Sequence, residues 1–170
     1  MATILTNAHL YMGTSQFGKV KEFKFPDIST VTVESKPIDF IGSVKLPIGI
    51  KLDDTAIVLN GFDSSVFSQL SDINKEHIIT IRGNMKKFNG NVLAEELPVK
   101  GVLRAITKKI TPLGTIKQQE NAEFSVELIP HAAKIEYKGS VLMEVDIPNN
   151  IYIIDGVDQL AKMKQNLGLV

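Results

Sequence analysis

Hydrophobic and polar residues alternate along much of the chain with the period of a β-strand. In "AEFSVEL", Phe124, Val126 and Leu128 fall on one side and Glu123, Ser125 and Glu127 on the other, which predicts a strand buried on one face. "SVLMEVD" repeats the pattern, with Val141, Met143 and Val145 opposite Leu142, Glu144 and Asp146. "VKEFKFP", "TAIVLNG", "HIITIRG" and "VKGVLRAIT" are further strands, rich in β-branched or aromatic residues and bounded by glycine, proline or asparagine. The expected fold class is mainly β.

Two short helices interrupt the alternation. After Asn60-Gly61, Asp63 or Ser64 caps a helix that places Val66, Phe67 and Leu70 on one face. Near the C-terminus Asp155 is positioned to accept from first-turn amides. Val157, Leu160, Ala161, Lys164 and Leu167 then follow helical spacing, and Gly168 supplies a left-handed stop. "NMKKFNGN" from Asn84 to Asn91 and "ITPLGTIKQQEN" from Ile110 to Asn121 are expected as connections, the second marked by Pro112 and Gly114.

One stretch fits neither a strand nor a loop. "SKPIDFIGSVKLPIGIKLDD", residues 35–54, carries Ile38, Phe40, Ile41, Val44, Leu46, Ile48 and Ile50, yet Pro37, Gly42, Pro47 and Gly49 fall among them. Proline removes a ladder donor and glycine weakens a strand, so the segment is too broken for a core element. It is also too apolar for an exposed loop: burying one Ile or Phe is worth about 1.5–3 kcal/mol, and seven left in water would be an aggregation hazard. The expectation is an extended arm whose seven apolar side chains form a subunit interface. The plainer alternative is an arm folded back on its own sheet as an edge hairpin.

Composition narrows the function classes. The 170 residues suit one sizeable core, and a single domain is expected over 1–170 with its arm at about 35–54. Lys+Arg and Asp+Glu number 19 each, so no global field draws in a polyanion. The absence of cysteine excludes disulfides, thiolate metal sites and a cysteine nucleophile. "MATILTNAHL" lacks the basic start and apolar run of a signal peptide, and no later apolar run approaches membrane-spanning length. A soluble protein in the cytoplasm where it is made, without a membrane anchor, is expected.

Candidate chemistry is sparse. His9, His77 and His131 lie in different segments without partners at metal-ligand spacing, and read as surface or strand-end histidines. Asp53-Asp54 reads as a solvated turn before a strand rather than a carboxylate pair. Lys86-Lys87 and Lys108-Lys109 lack the interleaved aromatics of a nucleic-acid groove, and "GNMKKFNG" and "GTIKQQEN" miss the spacing of a phosphate loop. No catalytic residue, metal ligand or cofactor site is assigned, and a structural protein rather than an enzyme is expected.

Three segments resemble one family. "NAHLYMGTSQFGKVKEFKFPDI", "LDDTAIVLNGFDSSVFSQL" and, most closely, "LMEVDIPNNIYIIDGVDQLAKMKQNLGL" are similar to the opening, middle and end of the major tail tube proteins of contractile-tailed phages. The type is that of P2-like phages, prophages and tailocins. The resemblance implies a β-sandwich or rolled β-sheet with two short α-helices, one of them C-terminal. It implies six-membered rings stacked into the inner tube of a tail, a conduit for DNA or ions driven through an envelope when a sheath contracts. It further implies as partners the chain itself, a sheath protein, a tape-measure protein, a baseplate hub and a tube terminator, with DNA only in transit. Location would be the host bacterial cytoplasm during assembly and then the tail of the particle.

From that reading the arm is covered by neighbouring subunits, and the terminal helix packs Val157, Leu160 and Leu167 on the outside of the sheet. The lumen is expected to be net negative, since gripping phosphate would slow transit, with Glu123, Glu127 or Glu144 supplying the acids. Two alternatives stand beside it: the tube of a related contractile secretion system, and a monomeric β-barrel that binds a small ligand or carries hydrolytic activity.

Overall fold

The computed structural model of the protein describes residues 1–17, 20–38 and 41–169. In chain order the elements are β1 (Ala2–Met12), β2 (Ser15–Gln16), β3 (Val20–Phe23), β4 (Ile28–Ser35), β5 (Val44–Leu52) and β6 (Thr55–Asn60). Then follow α1 (Ser64–Leu70), β7 (His77–Asn89), β8 (Val92–Thr111), β9 (Glu123–Tyr137), β10 (Ser140–Asp146), β11 (Ile151–Ile154), β12 (Val157–Asp158) and α2 (Ala161–Asn166). The fold is mainly β, a rolled sheet of the sandwich type with two short helices.

Antiparallel pairing runs β12-β11-β10-β9-β8-β7-β1-β2, with β6 attached to β9 and β3 to β6. Strand β9 lies beside β8 from Ser125 to Tyr137, but it changes its other neighbour midway. Its first half, Glu123 to Leu128, pairs with β6, and its second half, Ala132 to Tyr137, pairs with β10. The change coincides with a β-bulge at His131, where Arg104 opposes Ala132 and Ala105 opposes Pro130. A bulge bends its strand and sharpens the twist, which is how one sheet turns over on itself here.

The roll encloses one apolar cluster. Ile57, Leu59, Ile79, Leu103, Phe124, Val126, Leu128 and Val145 are all essentially inaccessible. Helix α1 closes this core with Val66 and Leu70, while the rings of Phe67 and Phe124 meet edge to face at 5.5 Å. Asp63 caps it as expected, its Oδ1 accepting from the amides of Ser65 and Val66 at 3.0 and 3.4 Å. The Ser65 hydroxyl also donates to Oδ1 at 2.7 Å, and this bond, followed by those from the two amides, holds the Asp63 carboxyl below its ordinary value. At the other end the buried Thr107 hydroxyl donates to the Leu70 carbonyl at 2.7 Å, satisfying a helix-end acceptor that would otherwise be orphaned.

Several expectations are corrected. "NMKKFNGN" is not a loop: residues through Asn89 continue β7, and only Gly90 and Asn91 turn the chain into β8. Charged residues suit this stretch because Lys86 lies opposite Glu96, 3.1 Å away, on an accessible face. In β10 a bulge at Leu142 sets Val141 opposite Glu136, so Val141 leaves the core face that Met143 and Val145 keep. Asp146, expected to face outward, is buried and accepts from the Asn149 side-chain amide at 2.8 Å and its backbone amide at 3.3 Å. His77 is likewise buried at the start of β7, its Nε2 3.2 Å from the Asp72 carbonyl.

The C-terminal helix also differs. Asp155 and Gly156, with φ of 48° and 80°, form the two-residue turn between β11 and β12, so Asp155 caps nothing. The helix has Leu160 at its N-cap and no side-chain cap; Asp158, just before it, accepts from the Leu160 amide at 2.9 Å and pairs with Lys164 at 2.8 Å. Gly168 does stop the helix, at φ 69°. Val157 and Leu167 are 61% and 63% exposed and α2 buries no residue, so the expected packing of this helix on the sheet is overturned.

Truncating Phe124 to alanine removes the largest fully buried side chain and its contact with Phe67. The expected cost is about 3–5 kcal/mol, read as a lowered midpoint of urea denaturation followed by circular dichroism. A loss below about 1 kcal/mol would show that this position is not central to the core.

Candidate assembly surfaces

The described part of segment 35–54 is paired rather than free, and only its base packs against the main sheet. Its residues Val44–Leu52 form β5, which pairs with β4 in a separate two-stranded antiparallel sheet. Pro47 and Gly49 are tolerated because a two-stranded ribbon has only edge strands. At about 3.3 Å per residue the ribbon is about 26 Å long.

Register decides which way its side chains point. At the base Ile28 opposes Leu52 and Thr30 opposes Ile50, and these three apolar residues join the chain's own core. A bulge at Ile48 follows, with Val31 opposite Gly49 and Thr32 opposite Pro47. Beyond it Val33 opposes Leu46 and Ser35 opposes Val44, on the face that carries Val31 and away from Ile28 and Leu52. The other face of this outer half holds Thr32, Glu34 and Lys45. The ribbon thus buries one face of its base at home and turns an apolar stripe of Val31, Val33, Val44 and Leu46 the opposite way.

That stripe is bare. Val31, Val33, Val44 and Leu46 are 37–48% exposed, Ile48 is 64% exposed, and Ile38 and Ile41 near the tip are wholly exposed. Of the seven residues expected at an interface, Phe40 lies outside the described residues. Ile50 is partly buried against the chain's own core, and the other five lie on the projecting ribbon. Val31 and Val33 escaped the sequence reading, although the alternation in "STVTVES" signals a strand whose partner would carry the stripe.

A second apolar feature lies at the foot of the ribbon. A cleft of about 430 Å³ opens between β1, β3, β7 and β8, lined by Leu5, Leu10, Phe23, Phe25, Ile81 and Ile135 among others. Its floor passes close to the backbone of Gly101, where an added Cβ would sit 2.9 Å from the Phe25 ring. Outward of it, the edge of β1 from Ala2 to Leu10 has no neighbouring strand among the described residues.

The three acids proposed for a lumen are not gathered at one point. Glu123 and Glu127 share the outward face of β9, opposite Asn60 and Ala56 of β6, and Glu123 is ion-paired with Lys21. Glu144 lies on β10 opposite Lys134, in a half of the sheet where Arg82, Lys100 and Lys134 mix with Glu136. Lys100 and Lys134 reach Glu136 at 3.7 and 3.2 Å, and this pairing, led by Lys134, lowers the Glu136 pKa. Asp53 and Asp54 form the turn before β6 as expected, and the bulged Lys108 reaches Asp54 at 2.8 Å.

The densest polar cluster is structural. The bulge at His131 aims its ring at Glu76, with Nε2 3.2 Å from the carboxylate, while Arg104 Nε donates to Glu76 at 2.7 Å. Arg104 also lies 3.9 Å from Asp146. The bond from Arg104 is the main reason that the Glu76 carboxyl titrates below its ordinary value. Among the described residues no group of histidine, aspartate and glutamate side chains is arranged to hold a metal ion.

A rolled β-sheet closed by one short helix, with a projecting apolar ribbon, is the tail-tube type of fold. The sheath/tube terminator of an extracellular contractile injection system superposes with a TM-score of 0.53 at 15% identity, covering 76% of this chain and 92% of that one. The tube-terminating cap of the anti-feeding prophage gives 0.55 at 14%, over 76% and 87%, and Hcp1 from Salmonella typhimurium 0.52 at 15%, over 89% and 100%. At such identities the likeness is one of fold. The sequence carries the assignment further: residues 2–168 match the family model of phage tail tube protein FII, and the chain belongs to that family. The tail tube protein of Escherichia phage P2 is 27% identical over 161 residues, covering 92% of this chain and 91% of that protein.

Arg104→Met tests the polar cluster. Glu76 has a depressed folded-state pKa, so its pairing stabilises the fold fully above the ordinary glutamate value and is lost as pH falls through the lower folded value. The variant should therefore melt at a lower temperature than wild type at neutral pH, and the gap should close on acidification. A gap that widened in acid would contradict this assignment.

Proposed function

We propose that the protein is the structural subunit of the inner tube of a contractile tail, in a phage or a headless tailocin, and that it acts by assembly rather than by catalysis. The observation that carries this reading is the ribbon: an ordered hairpin whose outer half turns Val31, Val33, Val44 and Leu46 away from its own core. An isolated two-stranded hairpin is marginal in water, and an exposed apolar one is a liability unless another molecule covers it. Neighbouring copies are the covering that a tube supplies. Family membership and the tail tube protein of phage P2 support the same reading.

In this reading six copies join side by side into a ring. The open edge of β1 offers ladder groups to a neighbour, so lateral joining continues the sheets around the ring and removes a hazardous edge. Stacking is a contact that does not close on itself, which turns rings into a filament. The partners are then further copies, a sheath, a tape-measure protein, a baseplate hub and a tube terminator, with DNA in passage only. Assembly takes place in the host cytoplasm and the product is part of the tail.

A lumen that passes DNA should not grip phosphate. Glu127, which lines a hollow with Glu22, Asp54 and Lys24, is the acid best placed to make such a bore net negative; Glu123 is ion-paired with Lys21, and Glu144 lies beside Lys134. A helical reconstruction with lysine side chains lining the bore would overturn this part of the proposal. The tube of a contractile secretion system is the second reading, favoured by the likeness in fold to the sheath/tube terminator of an extracellular contractile injection system.

Ile38→Asp combined with Ile41→Asp places two charges on side chains that touch nothing within the chain. The variant should keep the wild-type circular dichroism spectrum and urea midpoint, yet fail to form the rings and tubes expected of wild type in negative-stain microscopy over a concentration series. Intact tubes from the double variant would sink the role of the ribbon.

A further inference from the structure

We infer that the apolar cleft between β1, β3, β7 and β8 is the seat for the outer half of another copy's hairpin, with Ile38, Ile41, Val44 and Leu46 entering it. The inference rests on the tube reading, because it needs a second copy in contact. It goes further by naming which surface receives the ribbon.

The cleft and the ribbon are two large apolar features left open, and one chain cannot bring its own together. Phe25, in the cleft wall, precedes the first residue of β4 by three positions, so the cleft sits at the ribbon's base. The tip lies about 26 Å away along a paired ladder, and doubling back would break that ladder. The stripe of Val31, Val33, Val44 and Leu46 also faces away from Ile28, Ile50 and Leu52, which pack at home. A second copy has neither restriction.

Charge agrees with this occupant. On the cleft rim Lys21 is ion-paired with Glu123, whereas Glu22 has no ion-pair partner among the described residues. The outer ribbon carries Lys36 and Lys45 against the single acid Glu34 opposite Lys45, so among the described residues it keeps a net cation for the anion on the rim. The outer half of the ribbon, about 13 Å long and about 10 Å wide, presents one face of roughly 130 Å² to the cleft. A stable interface takes roughly 800 Å² per partner, and edge pairing along β1, which forms one wall of the cleft, supplies the larger share.

The contact is also directional. Each copy offers one ribbon and one cleft at different places, so a filled cleft leaves the filling copy's own cleft open.

The chain has no cysteine, so introduced pairs report contacts without background. Leu5→Cys with Ile41→Cys joins a cleft wall to the tip, and both residues are exposed enough that the core is untouched. Met163→Cys with Ile41→Cys, which tests the exposed C-terminal helix as the receptor instead, is the comparison pair. Each purified variant is oxidised mildly over a concentration series, run on non-reducing gels and imaged by negative stain. The expected result is a ladder of dimers and larger species from the Leu5/Ile41 pair alone, weakened by Glu22→Lys and restored when Lys36→Glu and Lys45→Glu are added.

Tubes or rings without that ladder would overturn the cleft assignment and leave the tube reading standing. A ladder without tubes or rings would do the reverse. Monomers throughout, with no ladder, would overturn both. Dimers formed equally by Ile41→Cys alone would place tip against tip and overturn the cleft assignment.

Discussion

Strand β9 must serve two sheets at once, and the rest of the fold follows from how it does so. It stays hydrogen-bonded to β8 along nearly its whole length, while its other edge passes from β6 to β10 at the His131 bulge. Because β8 runs unbroken beneath the change, the two halves cannot separate into independent layers; they roll about the β8/β9 seam and enclose the apolar side chains of both. Helix α1 fits the resulting gap, which is why its last carbonyl bonds to Thr107 of β8 rather than to water. The bulged residues are not wasted either. His131 reaches Glu76 and Lys108 reaches Asp54, so each irregularity ties a neighbouring connection to the seam.

The hairpin hangs from this body by its base alone. Ile28, Ile50 and Leu52 anchor it to the core, and the bulge at Ile48 then lets the apolar face reverse. A regular register would have kept one side facing home along the whole ribbon; one extra residue divides it into a domestic half and an outward half. Fully burying an exposed side chain of this size is worth about 1.5–3 kcal/mol, and the half-exposed stripe gains only part of that within one chain. In the proposed tube a neighbouring copy supplies the remainder.

Strands with an uninterrupted two-residue period were legible: the burial of Phe124, Val126 and Leu128 follows the alternation residue by residue. What misled was irregularity. A bulge shifts parity without changing composition, so Val141 left the expected face and Asp146 entered the interior. The Asn84–Asn89 stretch reads as a loop because its outward face is charged, and only the facing strand, with Glu95 and Glu96 to pair with Lys87 and Lys86, makes it a ladder. At the C-terminus the helical spacing began too early, since the Asp155-Gly156 turn satisfies the same residue preferences as a capped helix start. The arm was recognised by its apolar content, but its partner β4, rich in serine and threonine, gave a weaker signal than the stretch it pairs with.

The even charge balance acquires a meaning in this setting. With 19 cationic and 19 anionic side chains, a stack of many copies accumulates no net self-repulsion, which a strongly charged subunit would have to overcome at every added ring. Mixed charge on the outward sheet face, where Lys100 and Lys134 flank Glu136 and Lys86 faces Glu96, keeps that face soluble without making it sticky for a polyanion. In the proposed tube, attraction is left to the apolar ribbon and its receptor, which are local and directional. Selectivity in the proposed tube then comes from shape: a non-closing contact made by a projecting ribbon can extend a filament indefinitely.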